Sequence, residues 1–223
     1  MPQYRKLRKR YSLLDLCHRP ELSAEVTLQP VDHLGVDAAI IFADILLPFE
    51  PLRLGLRFEA GEGPKIDRPI RDEADVERLP EFNIDAELGY VCDAIRLARR
   101  ALPADVPLIG FAGAPFTLAS YAIEGGASRT FTNTKKLMYR APKTWHLLMK
   151  KLADMIGAYL AAQARAGAQA LQLFDSWIGC LSPDDYRTYV APHSRRPLSL
   201  AAAAGVPLIH FGTGNATFLE DFA

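Results

Sequence analysis

The chain has 223 residues, of which 49% are hydrophobic and 23% are charged, and these proportions are typical of a globular protein. Its 26 basic and 26 acidic side chains balance, so net charge gives no argument for binding to nucleic acid or to an anionic membrane, and we expect neither partner. Three widely separated cysteines argue against a disulfide framework, and no apolar run reaches the roughly 18 residues of a membrane-spanning helix; both observations favour a cytoplasmic protein.

Four short, nearly continuous apolar runs predict strands of a parallel sheet that is covered on both faces. They span residues 38–45, 106–113, 170–176 and 206–212. The first run is unusual because it contains Asp44, and a carboxylate in an apolar run is costly unless something pairs with it.

Helical patterns separate these runs. The predicted helices are Ser23–Leu34 with a weak point at Pro30, Asp85–Leu102, the long amphipathic Pro142–Ala166, a helix that starts at Ser182, and a helix end within the alanines 201–204. Residues 56–70 depart from this alternation and predict a β-hairpin around Gly61–Pro64.

Alternating strands and helices predict an α/β fold with a parallel sheet, which is either doubly wound or a (β/α)8 barrel. The glycines after residue 106 lack the spacing of a dinucleotide-binding fingerprint, and no phosphate-binding loop occurs. Polar residues at the carboxyl ends of the strands favour a barrel, but only four strands are convincing where a barrel has eight. We therefore predict a single domain over residues 1–223 that is either half of a sheet or an incomplete (β/α)8 barrel.

Polar side chains follow all four predicted strands, and closure into a barrel would bring them to one mouth. These side chains are Asp44, Tyr121, Asp175, Ser176, His210 and Thr213. The aromatic residues expected around Asp44 are Phe42, Phe111, Phe116 and Phe174, and such surroundings raise a carboxyl pKa unless donors or a cation hold it charged. The alternative is that Asp44 only caps the next loop and that the other residues only pack. No CxxC or HExxH spacing predicts a zinc site.

Long and unusual motifs resemble the uroporphyrinogen decarboxylase family from residue 1 to about residue 215. They are MPQYRKLR (1–8), AAIIFADILLPFEPLRLGLRFEAGEGP (38–64), GFAGAPFTLASYAIEGG (110–126) and ALQLFDSWIGCLSP (170–183). The resemblance implies a distorted (β/α)8 barrel, a homodimer, and an enzyme that converts the four acetate side chains of uroporphyrinogen to methyl groups. The product would be coproporphyrinogen, and the family uses no metal and no organic cofactor.

The resemblance also implies roles for individual residues. Asp44 matches the family aspartate that binds the pyrrole N–H groups of the substrate and stabilises the cation formed when a pyrrole ring is protonated. Tyr121 and Ser176 match substrate-binding positions, Phe174 would line the same cleft, and Arg8 would add positive charge for the substrate carboxylates.

The chain departs from the family at both ends. An arginine-containing segment that precedes the MPQYR motif in the family is absent, as is a late substrate-binding histidine. We therefore expect an internal fragment with weak or no catalysis by itself. Two alternatives remain: a zinc-dependent corrinoid or thiol methyltransferase of the same superfamily, although no His-x-Cys pair occurs, and a truncated chain that binds porphyrinogen without turnover.

Overall fold

The computed structural model describes residues 1–59 and 63–222. The strands are β1 (Ala39–Ile40), β2 (Leu56–Glu59), β3 (Gly63–Ile66), β4 (Leu108–Gly113), β5 (Ala170–Asp175) and β6 (Leu208–Gly212). The helices are α1 (Pro2–Arg8), α2 (Leu13–His18), α3 (Pro20–Leu34), α4 (Glu73–Glu77), α5 (Ile84–Glu87), α6 (Gly89–Ala101), α7 (Pro115–Glu124), α8 (Thr132–Arg140), α9 (Pro142–Ala166), α10 (Pro183–Asp185) and α11 (Ala191–Ala202). None of the helices in these two ranges is both long and apolar enough to cross a membrane.

The main sheet has the strand order β1-β4-β5-β6, and every neighbouring pair is parallel. A doubly wound sheet reverses its order at a switch point, whereas a barrel adds each new strand on the same side. The sequential order therefore decides between the two predicted folds. The α/β class is confirmed, and the described strands form an open arc of a (β/α)8-type barrel that does not close.

The two faces of this arc differ, because right-handed crossovers that always add on one side place all the helices on one face. Side chains towards the helices, such as Ala39, Leu108 and Leu171, are at most 2% exposed. On the other face, Ile40 is 49% exposed and Phe211 is 39% exposed. The prediction that all four strands are covered on both faces is therefore wrong for the two edge strands.

The first strand is shorter than predicted, and its ladder ends because helix α3 competes for its backbone. The last ladder bond runs from the Ile41 amide to the Ile109 carbonyl at 3.0 Å. The Phe42 amide then donates to Thr27 Oγ1 at 2.8 Å, and the Phe42 carbonyl accepts from Ser23 Oγ at 2.6 Å. Residues 42–45 therefore lie in a loop.

Most predicted helices are present with adjusted bounds. Helix α3 begins before Ser23 and continues through Pro30, while the predicted Asp85–Leu102 helix is divided at the fully buried Leu88. Helix α9 has the predicted bounds. The predicted hairpin is confirmed by antiparallel pairing of β2 with β3, and the part of its tip at 60–62 lies outside the described residues.

A histidine pair lies where α11 packs on α9. His146 Nδ1 and His193 Nε2 are 2.8 Å apart, with Tyr189 stacked on His146. Burial lowers the pKa of His193 to about 4, with smaller contributions from His146 and the nearby Arg196, which is itself paired with Asp154. The His193 ring is therefore neutral at neutral pH.

This pair predicts a pH dependence of stability. The pKa of His193 is near 6.5 in the unfolded chain and about 4 in the folded chain, so the unfolded chain binds more protons between these pH values. The free energy of unfolding is therefore highest above pH 6.5 and falls as the pH drops from 6.5 to 4. In His193→Gln the free energy of unfolding should fall by about 1–2 kcal/mol less over this pH range than in the parent, a value reduced because the ring is only half-buried. Urea unfolding of both proteins at pH 7, 5.5 and 4.5 measures it, and parallel pH profiles would contradict it.

Candidate active site

A cavity of about 430 Å³ lies near the carboxyl ends of β4 and β5. Its walls come from α3, the loop that follows β1, and the two central strands. The lining residues are Val26, Thr27, Pro30, Ile40, Ile41, Phe42, Ala43, Asp44, Ile45, Phe111, Phe174 and Ser176. Asp44 is the charged residue among them, so the cavity presents one carboxylate in mainly apolar surroundings.

The Asp44 carboxylate is held by the loop that contains it. Its Oδ1 accepts a hydrogen bond of 2.8 Å from the Leu46 amide, and its backbone carbonyl accepts from the Leu47 amide at 3.3 Å, as in an Asx turn. Among the described residues, no cation pairs with this carboxylate. Burial raises the pKa of the Asp44 carboxyl, and the Leu46 bond offsets part of that rise. Asp44 therefore caps the loop through Oδ1, as the alternative predicts, and its side chain also lines the cavity.

Tyr121 comes from the second half of α7, and its side chain is partly buried. Its ring packs on that of Trp177 with 3.9 Å between the ring centroids. Burial, followed by the negative charge of Asp44, raises the pKa of the Tyr121 hydroxyl. The phenol therefore stays protonated at neutral pH and can donate a hydrogen bond.

Ser176 and Phe174 reach the cavity from the end of β5. The Ser176 carbonyl accepts a 2.5 Å hydrogen bond from Thr213 Oγ1, which joins the loops after β5 and β6. The Phe174 ring meets Phe111 edge to face at 5.5 Å and Phe211 at 5.4 Å between centroids. The structure therefore brings Asp44, Phe174 and Ser176 together in one cavity, whereas Tyr121 is not among the residues that line it.

Three residues predicted near the mouth lie on the opposite, helix-covered side. Asp175 alternates with Phe174, is fully buried, and accepts from Thr117 Oγ1 at 3.0 Å. His210 packs on Phe222 at 3.6 Å and lies 3.8 Å from Asp175. Phe116 is fully buried against the helix layer. The prediction that these three converge with Asp44 is wrong. Asp175 and His210 point away because side chains alternate between the faces of a strand, and Phe116 lies on α7, where it packs on Trp145 of α9.

Arg8 is not among the residues that line the cavity. It lies exposed at the end of α1 and donates to the Tyr11 carbonyl at 3.0 Å. The same helix still borders the site, because Tyr4 contacts Phe42 with 5.7 Å between ring centroids. The predicted role of Arg8 towards substrate carboxylates stays a prediction.

Sequence reasoning missed the residue that holds β4 in place beneath the cavity. Gln163 of α9 is fully buried, and its side-chain amide bonds both the N–H and the C=O of Phe111, at 2.8 and 2.7 Å. The signal was available, because Gln163 falls in phase with Tyr159 and Leu160 on the apolar face of α9. A polar residue at such a position needs a partner.

The arrangement has a definite chemical capability. A carboxylate with one oxygen fixed by the backbone and the group as a whole lining an apolar cavity binds N–H donors or a cation strongly, because few water molecules compete. Such a fixed charge stabilises positive charge that develops in a reaction without reorganising at that moment. The aromatic walls suit a flat and largely apolar ligand body.

Known proteins resemble this chain over nearly its whole length. The family model described as "Uroporphyrinogen decarboxylase (URO-D)" matches residues 1–223. Two curated relatives, both named uroporphyrinogen decarboxylase, come from Sorangium cellulosum (56% identical over 99% of this chain) and Thermus thermophilus (53% identical over 98%). The chain spans 63% of the length of each of these relatives.

A solved structure shows the same fold at much lower sequence identity. A methyltransferase from Methanosarcina mazei matches with a TM-score of 0.76 and 18% identity, over 93% of this chain and 60% of that one. Identity at this level supports the fold alone. The match of the family model over all 223 residues, together with relatives at 53–56% identity, assigns the family: this chain belongs to the uroporphyrinogen decarboxylase family.

Proposed function

We propose that this chain carries the substrate-binding core of a uroporphyrinogen decarboxylase, which converts uroporphyrinogen III to coproporphyrinogen III with release of carbon dioxide. The observation that carries the proposal is the half-buried Asp44, whose carboxylate lines an apolar cavity and is fixed through one oxygen only. The substrate named by the relatives is a tetrapyrrole whose centre presents N–H groups, which are the donors such a carboxylate binds.

Each site residue has a role in this proposal. Asp44 accepts hydrogen bonds from the pyrrole N–H groups and stabilises the cation formed by protonation of a pyrrole ring, into which the electrons of the breaking C–C bond move. Tyr121 and Ser176 donate hydrogen bonds to the substrate periphery, and Phe174 packs against the macrocycle. Arg8 supplies positive charge towards substrate carboxylates. The substrate is the electron sink, so the reaction needs no metal and no organic cofactor.

We also propose a homodimer in the cytoplasm without a nucleic-acid partner. The support is the family resemblance and the balanced charge of the chain. The methyltransferase alternative has the weaker support, because it rests on a fold likeness at 18% identity. It also requires a metal-binding His-x-Cys pair, and the corresponding strand reads His210-Phe211-Gly212.

An exchange experiment tests the proposed activity. The 220 matched residues of the Sorangium cellulosum relative are replaced by this chain, and the resulting exchange enzyme is assayed with chemically reduced uroporphyrinogen III under argon, beside the 223-residue chain by itself. Formation of coproporphyrinogen, followed by chromatography, supports the proposal. A folded exchange enzyme that binds substrate without turnover supports the alternative of a binding chain, and stoichiometric zinc would support the methyltransferase.

Tyr121→Phe is expected to weaken substrate binding by about tenfold while leaving the fold intact, since it removes the hydroxyl proposed to bond the substrate and keeps the ring contact with Trp177. Quenching of tryptophan fluorescence by substrate measures the affinity. Tyr139→Phe is the matched control, because it removes a hydroxyl that bonds Asp185 at 2.8 Å and that has no proposed part in substrate binding. Equal effects of the two substitutions would contradict a role for Tyr121 in binding.

A further inference from the structure

A second cavity, which shares no lining residue with the first, concentrates positive charge. It has a volume of about 660 Å³ and lies between the 51–54 turn, the chain that follows β3, and α4. Its lining residues are Leu52, Arg53, Leu54, Arg68, Pro69, Ile70, Arg71, Asp75, Arg78, Leu79 and Pro80. Four guanidinium groups thus face one carboxylate, although the whole chain has no net charge.

The four arginines are not all neutralised by neighbours. Arg53 Nη2 pairs with Glu87 at 3.0 Å, and Arg78 pairs with Asp75. Arg71 Nη1 donates to the carbonyl of Ile123 at 2.5 Å, a neutral acceptor that leaves its charge uncompensated. Within the described part of the chain, the Arg68 guanidinium has neither a hydrogen bond nor an ion pair. Two full positive charges therefore remain available to a ligand.

An adjoining cavity of about 320 Å³ extends the same surface. It shares Ile70 and Arg71 with the arginine-lined cavity and adds Lys136 and Arg140 of α8. Arg71 therefore lies between two groups of cations, with its position fixed by the Ile123 carbonyl. This spacing suits an anion that carries several charged groups rather than one.

The floor of the larger cavity is apolar. Leu52, Leu54, Ile70 and Leu79 are each at most 7% exposed yet line the cavity with their surfaces. A purely solvated basic surface would not need such a floor, whereas a site for an organic ligand combines apolar walls with a few charged groups. The volume also falls within the roughly 300–1,000 Å³ of small-molecule sites.

The backbone at Arg53 supports the same interpretation. Arg53 has φ of 57°, in the left-handed region that residues other than glycine rarely adopt, and its side chain lines the cavity. Glycine would occupy this turn without strain. Strained conformations of this kind are concentrated at ligand sites, where the position of the side chain compensates for their cost.

We propose that this arginine-lined cavity binds an organic anion with an apolar body and at least two carboxylate groups, at a site separate from the Asp44 cavity. Guanidinium groups bind carboxylates through paired N–H donors, which fixes both position and orientation. Arg68 and Arg71 are the two groups with uncompensated charge, and they would make the main contacts. The apolar floor would hold the body of the ligand.

Calorimetric titration of the 223-residue chain tests this site with three probes: benzene-1,3,5-tricarboxylate, benzoate and inorganic phosphate. We expect the tricarboxylate to bind with a Kd below about 1 mM and both other probes to bind at least about tenfold more weakly, since they lack either the charges or the apolar body. Arg68→Gln should weaken tricarboxylate binding by about tenfold, and the Arg68→Gln/Arg71→Gln double variant by about a hundredfold.

The controls separate binding from folding. Arg68 has no partner in the described structure, so Arg68→Gln should leave the Tm unchanged. Arg96 lies on α6 and pairs with Asp93, so Arg96→Gln should leave tricarboxylate binding unchanged. Equal binding of phosphate and tricarboxylate, or no loss in Arg68→Gln, would overturn the proposal. Self-association of the chain that the double variant abolishes, without tricarboxylate binding, would also overturn it and would identify a surface for a second copy.

Discussion

Asp44→Asn is expected to reduce the turnover of the exchange enzyme by roughly a hundredfold to a thousandfold, which is the usual loss when one preorganised electrostatic contact to a developing charge is removed. Asparagine keeps the size of the side chain and can still accept the 2.8 Å hydrogen bond from the Leu46 amide. It removes the negative charge that would stabilise the protonated pyrrole. The initial rate of carbon dioxide release from reduced uroporphyrinogen III is the measurement.

The same substitution has a signature in substrate binding. Burial raises the pKa of Asp44 in the free protein, and pyrrole N–H donors bind only the ionised carboxylate. A proton therefore competes with the substrate, and affinity should fall as the pH falls through the pKa of Asp44. The asparagine variant should lack this part of the pH profile, because it has no proton to gain.

Asp37→Asn is the matched control for both measurements. Asp37 is exposed just before β1 and does not line the cavity. We expect the control to keep full turnover and the pH profile of the parent. Turnover of the Asp44 variant within about threefold of the parent would contradict a role in the chemical step, since even weak electrostatic contacts contribute more.

Much of the architecture follows from local patterns. The apolar runs at 106–113 and 170–176 locate β4 and β5, because their apolar side chains pack beneath the helices. The capping residue Ser182 is also where the sequence places it, with its hydroxyl accepting from the Asp185 amide at 3.2 Å. Such features depend on neighbours in the sequence, which a single chain displays.

The features that were not predictable depend on partners distant in the sequence. The strand 38–45 ends after two residues because Ser23 and Thr27, about 15–19 positions earlier, capture the Phe42 backbone. The run of apolar residues gives no sign of this competition. Likewise, a run without alternation does not say which face a residue such as Asp175 or His210 occupies, and the strand register decides it.

The arginine-lined cavity illustrates the same limit. Arg53, Arg68 and Arg78 are separated by other residues and carry no motif, and only the return of the chain after β3 brings them together. The cavity with Asp44 was accessible to sequence reasoning because a resemblance to a known family marked its residues. Without that resemblance, the strand-end rule places Ser176 and Asp44 correctly but adds Asp175 and His210 in error.

The second large effect is expected from replacing Gln163, because its side chain forms the hydrogen bonds to β4 that β1 does not form. The carbonyls of Pro107, just before β4, and of Ile109 accept hydrogen bonds from β1 and the residue after it, and Phe111 would be the next to pair on that side. At that point, however, the chain that follows β1 has turned towards α3. The Gln163 side-chain amide replaces the missing strand and bonds both the N–H and the C=O of Phe111. This contact leaves no room for a side chain at Gly110, because a Cβ there would lie 2.5 Å from Gln163 Oε1.

Gln163→Leu is therefore expected to destabilise the chain by about 3 kcal/mol, since it leaves one buried donor and one buried acceptor unpaired. The Tm should fall by about 10 °C for a chain of this size. Thermal unfolding followed by circular dichroism measures the change, and hydrogen exchange at the Phe111 amide should accelerate beyond the global loss. The exchange measurement places the defect at β4, next to the cavity that Phe111 lines.

Gln172→Leu is the comparison that makes this result specific. Gln172 lies on β5 with its side chain half-buried on the open face, and no hydrogen bond engages that side chain within the described structure. The same chemical change there should alter stability by less than about 0.5 kcal/mol. Similar losses in both variants would mean that leucine is poorly tolerated anywhere in this sheet, and the bridging role of Gln163 would then have no support. A loss confined to Gln163 would show that a helix side chain, rather than a strand neighbour, holds the edge of β4 where the cavity begins.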